Sequence, residues 1–249
     1  KLIVIPISGG LDSRAILASV LSYVDVKRIK TYTFGAKGSY DFEIGKQVAN
    51  KAGVHHEAIE LNSIRFSQEE MLEVAKKCDY QTHLFHHPPL SKLQEIIGDG
   101  VVVSGYLGDL IFGSYADKIV SKKESVNWYL KTKQYTSYFK TQDTKIFKSY
   151  IESIDENSIV PPFEQLILYE RAPKLTAPHI LMNGWEYELP LIDKRILDFM
   201  YSIPNKYRRH EKLFIDTMLS YYPSLFNVRA KTTFGKHLKT SQLIIFIER

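Results

Sequence analysis

The stretch Leu2-Ile3-Val4-Ile5-Pro6-Ile7-Ser8-Gly9-Gly10-Leu11-Asp12-Ser13 decides how the rest of the chain is read. Its apolar, β-branched opening predicts a short strand buried on both faces of a parallel sheet. Asp12 and Ser13 signal a helix start, after which Ile16, Leu17, Val20 and Leu21 recur on one helical face. Between strand and helix, Gly9 and Gly10 let the backbone approach an anion while the amides at the helix start point towards it. The loop therefore reads as a phosphate-binding turn. Asp12 is placed to hold Mg2+ against the phosphates and Ser13 to donate its hydroxyl, with plain N-capping as the structural alternative for both. The loop lacks the Gly-Lys-Ser/Thr of a Walker A turn and the G-x-G-x-x-G of a dinucleotide fold, which sets both classes aside.

Working outward, strand and helix patterns alternate: strand 28–34, helix 40–52, strand 55–61, helices 68–77 and 90–97, strand 100–104. Such alternation predicts an α/β fold with a doubly wound parallel sheet of about five strands. Ligands in such sheets sit beyond the carboxyl ends of the strands, so the loops 8–12, 34–38 and 104–109 are expected to converge on one crevice. Beyond Ser114 the pattern turns helical, with helices expected at 126–130, 162–169, 173–185, 194–202 and 213–221. A boundary near Ser114 separates an α/β region, 1–114, from a mainly helical part, 115–249.

The composition is that of an ordinary globular chain, with 44% hydrophobic and 24% charged residues, and no apolar run approaches a membrane span. Solubility and a cytoplasmic location are expected. A single cysteine, Cys78, excludes an internal disulfide and reads as a small buried side chain in a reducing compartment. The net charge of +5 suits an anionic ligand such as a nucleotide. A lysine-rich stretch from 118 to 150 carries Trp128, Tyr129, Tyr135, Tyr138 and Phe139; a nucleic-acid face is weighed there against a solvated, half-packed helical insertion, and the insertion is preferred. A metal reading of His55, His56, His83, His86 and His87 fails for want of a third ligand, although His86 or His87 lining a substrate cleft stays open.

The segment Ser8-Gly9-Gly10-Leu11-Asp12-Ser13 resembles the PP-loop of N-type ATP pyrophosphatases, which cleave ATP between the α- and β-phosphates. Three further segments narrow the resemblance: Ser104-Gly105-Tyr106-Leu107-Gly108-Asp109-Leu110-Ile111-Phe112-Gly113-Ser114-Tyr115, Glu188-Leu189-Pro190-Leu191-Ile192-Asp193-Lys194-Arg195, and Arg229-Ala230-Lys231-Thr232-Thr233-Phe234-Gly235. Together they resemble the synthetase domain of the asparagine synthetase and β-lactam synthetase group, in family order from Lys1 to Gly235. The resemblance implies ATP and Mg2+ as cofactors, with ATP and pyrophosphate held by Ser8 to Ser13, Phe34, Gly35, Ser104 and Gly105. It implies Asp12 and Asp109 as the magnesium carboxylates, Lys231 as the group neutralising charge on the acyl-adenylate and pyrophosphate, and Arg229 as an aid or a shield of the same loop.

Two departures bear on the substrate. Tyr106 stands where asparagine synthetases carry an acidic residue, as in β-lactam synthetases, whose tyrosine–glutamate pair closes a ring; Glu164 and Glu170 are candidate partners, and packing over the nucleotide is the alternative for Tyr106. Leu110 replaces the usual glutamate after the magnesium aspartate. The chain opens in a strand without methionine and reads as a fragment lacking an amino-terminal glutaminase domain, so ammonia or an amine is expected from such a domain, another chain or solution. The partners expected are a small-molecule carboxylate and that nitrogen donor, with no membrane and no nucleic acid. A lysidine-forming tRNA enzyme and a degenerate nucleotide-binding module remain as other readings; the lone cysteine opposes a sulfur-delivering one.

Overall fold

The computed structural model describes residues 1–80, 87–117, 121–133 and 144–238. Of the sequence readings above, those on His83, His86, Tyr135, Tyr138 and Phe139 lie outside the described residues. The chain separates into two compact units, one built from 1–106, 178–190 and 216–249, the other from 107–177 and 191–215. Where the sequence suggests one boundary near Ser114, the chain leaves the first unit at Tyr106 and returns to it twice.

The first unit contains β1 (Ile3–Pro6), α1 (Asp12–Leu21), β2 (Ile29–Gly35), α2 (Tyr40–Ala52), β3 (His55–Glu60), α3 (Gln68–Lys77), α4 (Leu90–Ile97) and β4 (Val101–Val103). A fifth strand, β5, comes from Glu186–Glu188. All neighbours are parallel, in the order β3-β2-β1-β4-β5. Strand residues alternate between faces. Val4, Tyr32 and Val102 face a core shared with Val74, Leu93 and Ile97 of α3 and α4. On the other face Thr33 lies against Gly45 of α2, where a Cβ would come within 3.0 Å of the Thr33 hydroxyl. Helices on both faces make the sheet doubly wound. Cys78 is fully buried in the first of these cores.

The order reverses between β1 and β4, so the loops that follow those strands lie side by side at the carboxyl edge of the sheet. One expected element differs: the stretch 173–185 is not a single helix. Its helical part ends with Ala177–Ile180, and the chain then supplies β5. Two of the three β5 residues are exposed glutamates, so no apolar run announces the strand; pairing with β4 makes it one.

The second unit is helical, with α5 (Gly108–Phe112), α6 (Lys122–Lys133), α7 (Thr144–Ser153) and α8 (Pro162–Gln165), the last continuing as a π-helical stretch over Leu166–Thr176. A helix over Lys194–Ser202 and a short one over Asn205–Arg208 follow. Trp128 and Tyr129 of α6 do not form an open aromatic face. Tyr129 is buried with Leu110, Val126 and Phe163, and the Trp128 ring packs 4.1 Å from that of Phe163. Among the described residues no helix is long and apolar enough to cross a membrane.

His56 on β3 meets the Thr31 hydroxyl through Nδ1 at 2.9 Å, while its buried Nε2 has no partner among the described residues. Burial, reinforced by Lys46, lowers its pKa from 6.5 to about 4. Between those two values the unfolded chain binds the proton and the fold resists it, so stability falls as the pH drops through that window. His56→Gln is expected to flatten the dependence of the urea midpoint on pH between about 6.5 and 4; an unchanged slope would show that this imidazole does not oppose acid.

Candidate active site

The turn after β1 is built by close backbone approach. A Cβ on Gly9 would lie 2.8 Å from the Tyr40 carbonyl oxygen and 3.3 Å from the Lys231 Cβ, so only glycine fits there. Gly105, just past β4, would place a Cβ 2.9 Å from the carbonyl carbon of Asp12 and the amide of Ser13. The first and fourth strand ends therefore meet at Asp12 and Ser13. Leu11 is the residue before the helix and is buried at 3% exposure, anchoring the turn in the core. Neither Asp12 nor Ser13 acts as the N-cap, since α1 begins at Asp12 with no side-chain cap.

Side-chain oxygens meet the amides of this turn. The Ser8 N–H donates to Ser13 Oγ at 3.3 Å, the Gly10 N–H to Ser8 Oγ at 3.2 Å, and the Gly9 N–H to Asp41 Oδ1 at 3.2 Å. Asp41 sits in the first turn of α2, which the Ser39 hydroxyl caps by accepting the Phe42 N–H at 3.4 Å. Its other oxygen is 2.6 Å from Lys231 Nζ. The Lys231 backbone N–H in turn donates to the Gly9 carbonyl at 2.9 Å. Sequence reading singles out Lys231 and misses Asp41, whose only local signal is its place just after a second strand-top loop.

A second residue missed from sequence holds this arrangement from beneath. Arg14 on α1 is fully buried, and its guanidinium donates to the carbonyls of Arg229 at 3.0 Å, Leu225 at 3.3 Å and Gly9 at 3.5 Å. Burial lowers its pKa to about 10, which leaves it charged at neutral pH. The Arg229 guanidinium is exposed, and its Nε donates to the Gly235 carbonyl at 2.7 Å, closing the Lys231 loop on itself.

Phe34 and Gly35 end β2, and Ser104 follows β4. Phe34 and Ser104 line a cavity of about 140 Å³ with Pro6, Tyr32, His87 and His179. The two imidazoles face each other, His87 Nε2 lying 3.3 Å from His179 Nδ1. Tyr106 is buried, which pushes its phenol up to about 12, so it is held protonated at neutral pH.

Asp109 belongs to the second unit, at the start of α5, and its surface is exposed. Crowding around the carboxyl raises its pKa, against the pull of Lys133 and Arg171. Beneath α5, Arg208 donates to the carbonyls of Leu110 and Ile111 at 3.4 and 3.2 Å and to Glu164 Oε2 at 2.8 Å. Glu164 and Arg208 are 0% and 1% exposed, so Glu164 is committed to this pair. Glu170 pairs with Lys174 one turn away. Among the described residues no group of three or more His, Cys, Asp or Glu side chains is arranged to hold a metal.

Arg14→Met keeps an apolar stem but removes every donor to the three carbonyls. It is expected to lower unfolding free energy by about 3 kcal/mol in urea titration; a loss below about 1 kcal/mol would mean that those carbonyls find other donors.

No curated protein matches the chain. The family model for asparagine synthase matches residues 3–237, a span that includes Ser8 to Ser13, Asp41, Asp109 and the Lys231 loop. With nearly its whole length matched, this chain belongs to the asparagine synthase family, a family of ATP-dependent amide-forming synthetases.

Proposed function

We propose that the chain adenylates a small-molecule carboxylate with ATP, releasing pyrophosphate, and then joins the acyl group to ammonia or an amine with release of AMP. The observation that carries this reading is the phosphate turn of Ser8 to Ser13, bound through Gly9 to the loop of Lys231. Its amides, the start of α1 and the Lys231 ammonium offer converging donors to an anion. The pyrophosphate part of ATP lies in this turn and the base lies in the cavity by Phe34 and Ser104, with Gly35 and Gly105 at the strand ends beside them.

In the first step a carboxylate oxygen attacks the α-phosphorus and the bond to the pyrophosphate leaving group breaks. Lys231 stabilises the charge that develops on that leaving group, an electrostatic contribution of the kind that dominates such reactions. In the second step the nitrogen attacks the acyl carbon, loses a proton and expels AMP. Tyr106, held protonated, serves better as a hydrogen-bond donor than as a base. Arg229 shapes the Lys231 loop. The donor set fits magnesium only in part: Asp12, half-buried at the head of α1, is a hard oxygen ligand beside the phosphate turn, and phosphate oxygens would complete the shell. Asp109 is the second carboxylate proposed for that ion, and bound magnesium would neutralise phosphate charge.

The commitment of Glu164 to Arg208 and of Glu170 to Lys174 favours simple amide formation over a tyrosine–glutamate base for ring closure. The buried Tyr129 and the partly buried Trp128 packed on Phe163 likewise weigh against an RNA-modifying role for α6. A cytoplasmic location and a separate source of ammonia, from a glutaminase domain, another chain or solution, complete the proposal.

The test is pyrophosphate release from ATP and Mg2+ with ammonia across a carboxylate panel that includes aspartate. Turnover with aspartate supports an asparagine-forming enzyme, turnover with another carboxylate a specialised synthetase, and ATP binding with no release would sink the reading. Asp12→Asn and Asp109→Asn are each expected to cut turnover at least about 100-fold with little change in melting temperature; preserved turnover removes that residue from the metal.

A further inference from the structure

Every amide of the phosphate turn from Ser8 to Gly10 donates to a side-chain oxygen, and one of those oxygens belongs to a carboxylate. Asp41 takes the Gly9 N–H on Oδ1 and the Lys231 ammonium on Oδ2. A backbone amide and a lysine aimed at one anionic group is the donor set by which a phosphate is recognised. We propose that Asp41 is a positioning residue that stands in for the bound anion, holding Lys231 over the turn until the pyrophosphate part of the nucleotide displaces it. This inference rests on the proposed nucleotide role of the turn and names the residue that prepares it.

Two features make the exchange feasible. The backbones are fixed, because the Lys231 N–H is bonded to the Gly9 carbonyl and Asp41 lies in a capped helix. The side chains are not buried, with Lys231 56% and Asp41 38% exposed, so the ion pair can open without disturbing the core. A single carboxylate offers one charge; pyrophosphate offers several charges and more acceptor oxygens to the same donors. The exchange therefore favours a polyphosphate. When it occurs, the Asp41 carboxylate turns towards water and Lys231 remains on the leaving group it is to neutralise.

The experiment is calorimetric titration of the whole chain with inorganic pyrophosphate, using wild type, Asp41→Asn, Lys231→Met and the double variant, each checked by thermal melting. An exposed ion pair of this kind is modest, so Asp41→Asn is expected to bind pyrophosphate about fivefold tighter, since no internal anion must leave. The gain should shrink in the Lys231→Met background, where there is no ammonium to release. An aspartate with a merely structural role would weaken binding when replaced. Equal or weaker binding by Asp41→Asn, with Lys231→Met still weakened, overturns the stand-in role alone. Unchanged binding by Lys231→Met takes that lysine out of the phosphate site and overturns both the stand-in role and the reading it rests on. Asp41→Ser supplies the same comparison if the asparagine variant does not fold.

Discussion

A single buried cation governs the geometry at the strand ends. Arg14 has no solvent to hydrate it, and the fold compensates with carbonyl oxygens from Gly9, Leu225 and Arg229 and the ring of Phe226, whose centroid lies 5.6 Å from its guanidinium carbon. A guanidinium suits this task because its planar fork presents several donors in fixed directions, which an ammonium does not. The consequence is mechanical as well as electrostatic. The underside of the turn at Gly9, the backbone at Leu225 and the approach to Lys231 are all fastened to one side chain. The same positive charge raises the electrostatic potential at the turn.

What was legible in the sequence was local. The helices 40–52, 68–77 and 90–97 were legible in the strand–helix alternation, and the structure adds a Ser67–Glu70 capping box at the start of the second. β1 and β4 were legible because a buried parallel strand is an apolar run, and β2 and β3 through their place in the strand–helix alternation. β5 was not, because Glu186-Tyr187-Glu188 becomes a strand only through its pairing with β4. The helix start read at Asp12 and Ser13 holds, with α1 beginning at Asp12, while N-capping, the structural alternative for both, is not what they do. For the site, the turn itself could be read from spacing, whereas Lys231 came through resemblance. Asp41 and Arg14 acquire meaning from partners 190 and 215 positions away, and no local pattern encodes that.

The second unit repeats the device of a buried arginine with a different partner. Arg208 is paired with Glu164, and the Tyr201 ring lies 4.4 Å from its guanidinium carbon. Its donors also reach two carbonyls of α5, the short helix that begins beside Asp109. Gly113 closes that helix with φ +107, and a Cβ there would run into the Arg208 carbonyl. A five-residue helix has little stability of its own, so the buried pair and the glycine give Asp109 a defined platform.

The order in which the chain visits the first unit bears on its biosynthesis. The phosphate turn is complete as sequence by Ser13, yet the sheet lacks its edge until Glu186–Glu188 and the turn lacks its floor until Leu225 and Arg229. Contacts of such long sequence separation form late because loop-closure entropy must be overcome first. During synthesis the opening strands leave the ribosome long before their partners, and an unpaired β4 edge is exposed meanwhile. A nascent chain would therefore give the turn its floor only after Leu225 and Arg229 have emerged, however early the turn itself is made.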